Sequence, residues 1–216
     1  MQSPYFCRDN FLEDPDEIVR YSKTLNYFKS DIGNWPGERA EITNTKIGYF
    51  LSNKIFFAIH PYKTKHFRAN SNCHFQRIDD KQGDTGWVHK DPGELTAIIY
   101  LSKHKGCGTS IYKPKSFEST PTYESRVIKG QGYKLSKFDQ KYNKCLKKHN
   151  AQFEETIYFE SVYNRLIVFN ACAYHGVKNF KIDNDPRLTF ITLINWMSDD
   201  NLRTGVTQSK KITTAE

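Results

Sequence analysis

The stretch Trp87-Val88-His89-Lys90-Asp91-Pro92-Gly93-Glu94-Leu95-Thr96-Ala97-Ile98-Ile99-Tyr100-Leu101 carries two messages. Leu95 to Leu101 is a short apolar run rich in β-branched residues and set off by a Pro-Gly pair, the pattern of a buried strand. Trp87 to Asp91 also reads as a strand, in which alternation puts Trp87, His89 and Asp91 on one face. An imidazole and a carboxylate then converge. Alone, the His-x-Asp triplet decides nothing: seven histidines and 13 aspartates in 216 residues give about 0.4 such triplets by chance.

Outward from this stretch the same texture continues. His74 to Ile78, Thr109 to Tyr112, Thr156 to Val162, Leu166 to Asn170 and Leu188 to Trp196 are short β-rich runs separated mostly by Gly, Asn, Asp or Pro. That spacing predicts an antiparallel sandwich or barrel. Helices come first. Asp14-Pro15-Asp16-Glu17 is a helix opening with an N-cap, a proline in the first turn and acids at the positive end of the dipole. Ile18, Tyr21, Leu25 and Phe28 follow at helical spacing, and a second helix is expected over Ile47 to Ile59. The fold class is therefore α+β, mainly β. The expected organisation is one domain over 1–216. It comprises a helical N-terminal part (1–71), a core from 72–112 and 156–196, a lysine-rich insertion (113–155) with a helix around Lys137 to Lys148, and a tail (197–216).

Two further residues change the weight of the triplet. His175 falls just past the buried strand ending at Asn170, beside a glycine and 84 residues after Asp91. Two histidines and one carboxylate on one face of a metal leave three positions open, the arrangement that non-haem Fe(II) requires. Twelve residues on, Arg187 opens the strand Arg187-Leu188-Thr189-Phe190-Ile191-Thr192-Leu193, where a guanidinium can grip a carboxylate bidentately. His60, His66, His74, His104 and His149 have no partner pattern and read as structural.

His89-x-Asp91, His175 and Arg187, in this order, resemble the signature of the Fe(II)/2-oxoglutarate-dependent oxygenase superfamily, and of its prolyl 4-hydroxylase-like subgroup in particular. Ala97 to Ser102 resembles the strand after the metal motif, where a tyrosine, here Tyr100, reaches the co-substrate. Gly106 to Tyr112 resembles the glycine turn and strand that follow. The resemblance covers roughly residues 72–196.

It implies a double-stranded β-helix, or jelly-roll, core with the N-terminal helices packed alongside. It implies Fe(II) on His89, Asp91 and His175, and 2-oxoglutarate held by Arg187 and Tyr100, with Thr189 adding a hydroxyl. O2 is then a second co-substrate and ascorbate an accessory reductant. Because related halogenases lack the carboxylate ligand, Asp91 implies hydroxylation, and the substrate implied first is a prolyl residue of a peptide or protein. Trp87, Tyr112 and Trp196 are the expected substrate-lining aromatics. Alternatives are a nucleobase or small-molecule substrate, or a basic binding module without catalytic metal.

Composition bounds the rest. Hydrophobic residues make up only 38%, but 15 Phe and 13 Tyr supply large buried area. Five scattered cysteines without a C-x-x-C pair argue against a disulfide framework and for a reducing, cytoplasmic compartment. No signal-peptide core and no membrane span is expected. A net charge of +8 is spread thinly, which reads as a solvated lysine-rich surface; nucleic acid finds no support beyond charge. Nothing in the sequence sets the oligomeric state.

Overall fold

The computed structural model of this chain describes residues 5–60, 67–79, 85–116, 123–135, 137–180 and 185–199, with 67–68 and 196–199 described by backbone alone. Within them lie β1 (Tyr5–Arg8), α1 (Pro15–Lys23), β2 (Phe28–Lys29), β3 (Glu38–Glu41), α2 (Lys46–Ile59), β4 (Phe67–Ile78) and β5 (Leu95–Tyr100). These are followed by β6 (Thr109–Pro114), α3 (Tyr123–Leu135), α4 (Gln140–Asn150), β7 (Phe153–Phe159), β8 (Leu166–Asn170), β9 (Tyr174–Val177) and β10 (Arg187–Asp199). Of the expected tail, residues 197–199 end β10 and residues 200–216 lie outside the described residues, as does His66. No helix of the described residues is long and apolar enough to cross a membrane.

The strands form a seven-stranded sheet, β1-β8-β5-β10-β4-β3-β2, and a three-stranded sheet, β7-β6-β9, with antiparallel pairing throughout. This is the mainly β, α+β jelly-roll architecture. Strand alternation sorts the large sheet into two faces. Cys73, Phe75, Ala97, Ile99, Leu166, Val168, Leu188 and Phe190 form one core with Ile18 of α1 and Leu51 and Ile55 of α2. Ile98, Tyr100, Ile167, Phe169 and Ile191 form a second core with Ile111 of the small sheet. Both faces of β5 and β8 are covered, which is why these strands are continuous apolar runs rather than alternating ones.

Local signals placed the first helices well. Asp14 caps α1 by accepting from the Glu17 backbone N–H at 2.8 Å, and Thr45 caps α2 through Gly48 N–H at 3.1 Å. The β-branched and aromatic residues of α2 are poor helix formers. Burying Leu51 and Ile55, each worth about 1.5–3 kcal/mol, outweighs that propensity.

Two expectations need correcting. The N-terminal part is not only helical: β1, β2 and β3 lie within residues 1–71 and extend the large sheet at both ends. β1 is too short, and β3 too charged, to show a strand pattern before their partners are known. The insertion is a helical pair, α3 and α4, rather than a loop with one helix. Gly130 and Gly132 hide α3 in the sequence. The structure gives the reason for Gly132: an added Cβ would lie 2.4 Å from the Tyr142 ring of α4. The helices close over their own small core of Ile128, Tyr133, Tyr142 and Leu146, completed by Trp87.

Candidate metal centre

His89 and Asp91 come from the segment before β5, and His175 from β9. The His89 Nε2 lies 3.6 Å from one Asp91 oxygen, the His175 Nε2 lies 3.2 Å from the other, and all three donors fall within 4.8 Å of one another. Two metal bonds of about 2.1 Å subtend about 3.0 Å at a right angle. The donor set therefore fits one ion.

Each ligand is oriented from behind. The Nδ1 of His89 sits 2.8 Å from the Trp87 carbonyl, and that of His175 lies 3.0 Å from the Ala173 carbonyl. A carbonyl only accepts, so each Nδ1 carries the proton and each Nε2 presents its lone pair to the centre. Thr96 Oγ1 donates to Asp91 at 2.8 Å, and the His175 ring packs on Phe169 at 4.7 Å between centroids. Burial pushes the Asp91 carboxyl up. The imidazoles of His175 and His89 beside it and the Thr96 hydroxyl reverse this and hold it well below the usual carboxylate range. His89 is held down, to about 3, first by burial, with His175 and Lys129 beside it adding to the effect. Both ligands are thus in their metal-binding forms at neutral pH.

The segment carrying His89 and Asp91 is not the strand expected from alternation. Among the described residues its one bridge is to His175, through His89 N–H to His175 O at 2.9 Å and the reverse at 2.8 Å, and Asp91 N–H donates to Ala171 O at 2.9 Å. The insertion supplies the remaining backbone partners. Asn150 donates to Gly86 O at 2.9 Å and accepts from Val88 N–H at 3.0 Å, while His149 Nε2 donates to Val88 O at 2.7 Å. So α4 clamps the residues just ahead of the first ligand.

His89, Asp91 and His175 open on a cavity of about 390 Å³ that Arg187 and Thr109 also line. Arg187 is 2% exposed, and among the described residues it has no acidic partner. Its Nε donates to Cys107 O at 2.8 Å, its Cζ sits 5.4 Å from the Tyr100 ring centre, and its Nη2 is buried without a partner. Thr189 pairs with Tyr100 across β10 and β5, and its buried hydroxyl is also unpartnered. The Tyr100 hydroxyl donates to Thr109 Oγ1 at 2.8 Å, which makes Tyr100 an orienting group for Thr109 in this state.

The aromatic residues expected to line a substrate pocket divide three ways. Trp87 lines the cavity, but its indole N–H donates to the Tyr142 hydroxyl at 2.8 Å, so it also anchors the insertion. Tyr112 does not reach the cavity. Ile111 takes the inward position of β6, and the Tyr112 hydroxyl is turned towards Ser110. The Trp196 side chain lies outside the described residues. Sequence reasoning missed Thr96, Thr109, Arg39, Lys129 and Asn150. Thr96 and Thr109 sit at recognisable positions, five residues past Asp91 and directly after the glycine turn; the others become visible only through tertiary contacts.

A family profile described as a family of unknown function, DUF6445, matches residues 1–192. The chain belongs to DUF6445. No curated protein matches this member in sequence. Its fold, however, is shared with solved non-haem oxygenases. HygX from Streptomyces hygroscopicus, with nickel and 2-oxoglutarate bound, aligns at 10% identity and a TM-score of 0.52, covering 88% of this chain and 82% of that one. A prolyl hydroxylase from Trichoplax adhaerens, in complex with a hypoxia inducible factor peptide fragment, aligns at 13% identity and a TM-score of 0.53, covering 93% and 86%. A 2OG-Fe(II) oxygenase family oxidoreductase from Burkholderia pseudomallei aligns at 10% and 0.52, covering 89% and 85%.

The buried histidines of this DUF6445 member set a pH dependence. His74, buried in β4 with an unpartnered Nε2, is held well below the ordinary histidine range by burial and by Arg39. Below about 6.5 the unfolded chain takes up protons that native His74 and His89 refuse. Each pH unit there costs about 1.4 kcal/mol per histidine kept neutral, and less for the partly exposed His89. The metal-free protein should therefore melt roughly 5–10 °C lower at pH 5 than at pH 7. A flat melting temperature across that range, measured by circular dichroism, would contradict this placement.

Proposed function

We propose that this cavity is the active site of an Fe(II)- and 2-oxoglutarate-dependent oxygenase that hydroxylates a substrate C–H bond. The observation that carries the reading is the meeting of two incomplete sites in one cavity. Three donors converge on a common point, and beside them stands a buried guanidinium with an orphan nitrogen and, among the described residues, no acid. An unpaired buried charge is costly unless a ligand completes it.

When bound, iron and 2-oxoglutarate supply the oxidation: O2 places one atom in the new C–OH and one in succinate, with loss of CO2. His89, Asp91 and His175 hold the metal by one face and leave the other open. Arg187 receives the distal carboxylate, with the free Thr189 hydroxyl and the Tyr100–Thr109 pair beside it. Ile98, Ile191 and Leu193 line the same space and keep water from the reacting groups. Asp91 fills the ligand position that a halogenating enzyme leaves open, which favours hydroxylation. Ascorbate is the accessory reductant of this reading. The whole of 1–216 acts as one oxygenase unit, and its five free thiols suit a reducing cytoplasm.

Within the class, a prolyl side chain of a peptide or protein is the substrate we infer. Its support is the sequence resemblance and the fold shared with a peptide-bound prolyl hydroxylase. Anaerobic addition of Fe(II) and then 2-oxoglutarate should produce a visible metal-to-ligand charge-transfer band. No band from the intact protein would sink the oxygenase reading. Proline-containing peptides should gain one oxygen atom by mass spectrometry. Succinate formed with another substrate class, and no peptide product, would refute the prolyl assignment alone.

A further inference from the structure

The metal and its co-substrate leave part of the cavity's charge unanswered. Four cations line it, Arg39, Lys90, Lys129 and Arg187, against one carboxylate, Asp91. A divalent metal and a dianionic co-substrate cancel, and Asp91 offsets the charge of Arg187. Lys90 is exposed and sits 4.4 Å from the Tyr174 ring centre. Arg39 and Lys129 remain.

They come from distant parts of the chain, β3 and α3, and both are half-buried. Among the described residues neither forms an ion pair. Of the carboxylates nearest in sequence to Arg39, Glu38 pairs with Arg77 and Glu41 is occupied with the backbone and hydroxyl of Thr43. Arg39 lies over the Trp35 ring at 4.6 Å, and its Nε is buried with no acceptor. The Trp35 indole N–H, from the same cavity wall, is also buried with no acceptor. These are donors only, so any partner must accept, and an oxyanion accepts most strongly. The two cations lie close enough for Arg39 to disfavour the charged form of Lys129, which is held down to about 8, chiefly by burial. An anion between them would relieve both costs.

The wall is also fixed in place. The loop carrying Trp35 meets α3 at Gly33, where an added Cβ would lie 1.9 Å from Gly130 O. Gly33 has φ +71°, which an L side chain rarely adopts. Arg39 and Lys129 therefore face one space across a tight seam, and Gln76, tied to Pro36 O at 2.7 Å, braces the loop from β4.

We propose that the substrate carries an oxyanion, a carboxylate or phosphate close to its reacting C–H, that seats between Arg39 and Lys129. This rests on the oxygenase reading for the word substrate, but the anion seat itself does not. In a prolyl peptide the group would be a neighbouring acidic side chain or a terminal carboxylate; in a small molecule, its own acid or phosphate.

Two measurements on the full chain separate the seat from the oxygenase. Inorganic phosphate and acetate are each titrated into the metal-free protein, read by tryptophan fluorescence. Saturable, salt-sensitive binding is expected, at least tenfold weaker in Arg39→Gln and in Lys129→Met, retained in Lys129→Arg, and kept in Arg187→Met. Both anions binding points to a carboxylate or phosphate source, and phosphate alone to a phosphate ester. Absence of saturable binding overturns the seat, as does binding lost in Arg187→Met but unchanged in Arg39→Gln. The charge-transfer band is then recorded in Arg39→Gln and Lys129→Met, where it should match the parent protein. Anion binding without any parental band leaves the seat standing and removes the oxygenase. A normal band with no anion binding does the reverse.

Discussion

Replacing His175 with alanine should lower Fe(II) affinity by more than about 100-fold, because even outer-shell partners of metal ligands are worth 10- to 100-fold. The charge-transfer band with 2-oxoglutarate and succinate formation should both disappear. The metal-free fold should survive, since the lost ring packs on Phe169 at the edge of the second core and on His89, and the larger core beneath α1 and α2 is untouched. Thr96→Val provides the graded companion. It removes the 2.8 Å hydrogen bond to Asp91 and should weaken metal binding by about 10- to 100-fold while leaving all three ligands in place. Band titration and a circular dichroism melt check both variants. An undiminished band in His175→Ala would mean that this histidine holds no metal.

Arg187→Met carries the second large effect, and it separates co-substrate binding from stability. Two charge-assisted hydrogen bonds to a carboxylate, at about 1.5–3 kcal/mol each, correspond to roughly 10²- to 10⁴-fold in the 2-oxoglutarate requirement. Iron binding should change little, because no ligand touches Arg187. The same substitution should leave the ligand-free protein as stable as the parent or more so. It keeps a long apolar stem and removes a buried cation that has no acid partner. A structural arginine would do the opposite. Equal loss of iron and 2-oxoglutarate binding, or a melting temperature several degrees lower, would assign Arg187 to the scaffold.

The legible parts of this protein are those governed by local rules. Asp14 with Pro15 declared a helix start whose cap is seen at 2.8 Å. Leu95–Tyr100 and Leu166–Asn170 declared buried strands because apolar runs of that length need cover on both faces. Helix α3 was invisible because its glycines serve tertiary contacts, Gly132 with Tyr142 of α4 and Gly130 with the Ile32 carbonyl, that local propensity does not report. Tyr112 stays off the cavity for a related reason: the inward position on β6 belongs to Ile111, which packs in the second core.

By itself, then, the sequence determined the fold class, most of the central strands and the identity of the residues able to meet at one point. Residue chemistry and short-range periodicity suffice for that, since each depends on neighbours within a few positions. Only the tertiary structure decided which nitrogen of each histidine faces the centre. It alone placed Thr96 and α4 behind the ligands, left Arg187 without an acid and brought Arg39 of β3 opposite Lys129 of α3. The α4, Arg187 and Arg39–Lys129 features join groups far apart in sequence, whose approach is fixed by burial and hydrogen bonding after the sheets have closed. The histidine and Thr96 contacts are short in sequence, but their direction is set by the same closure.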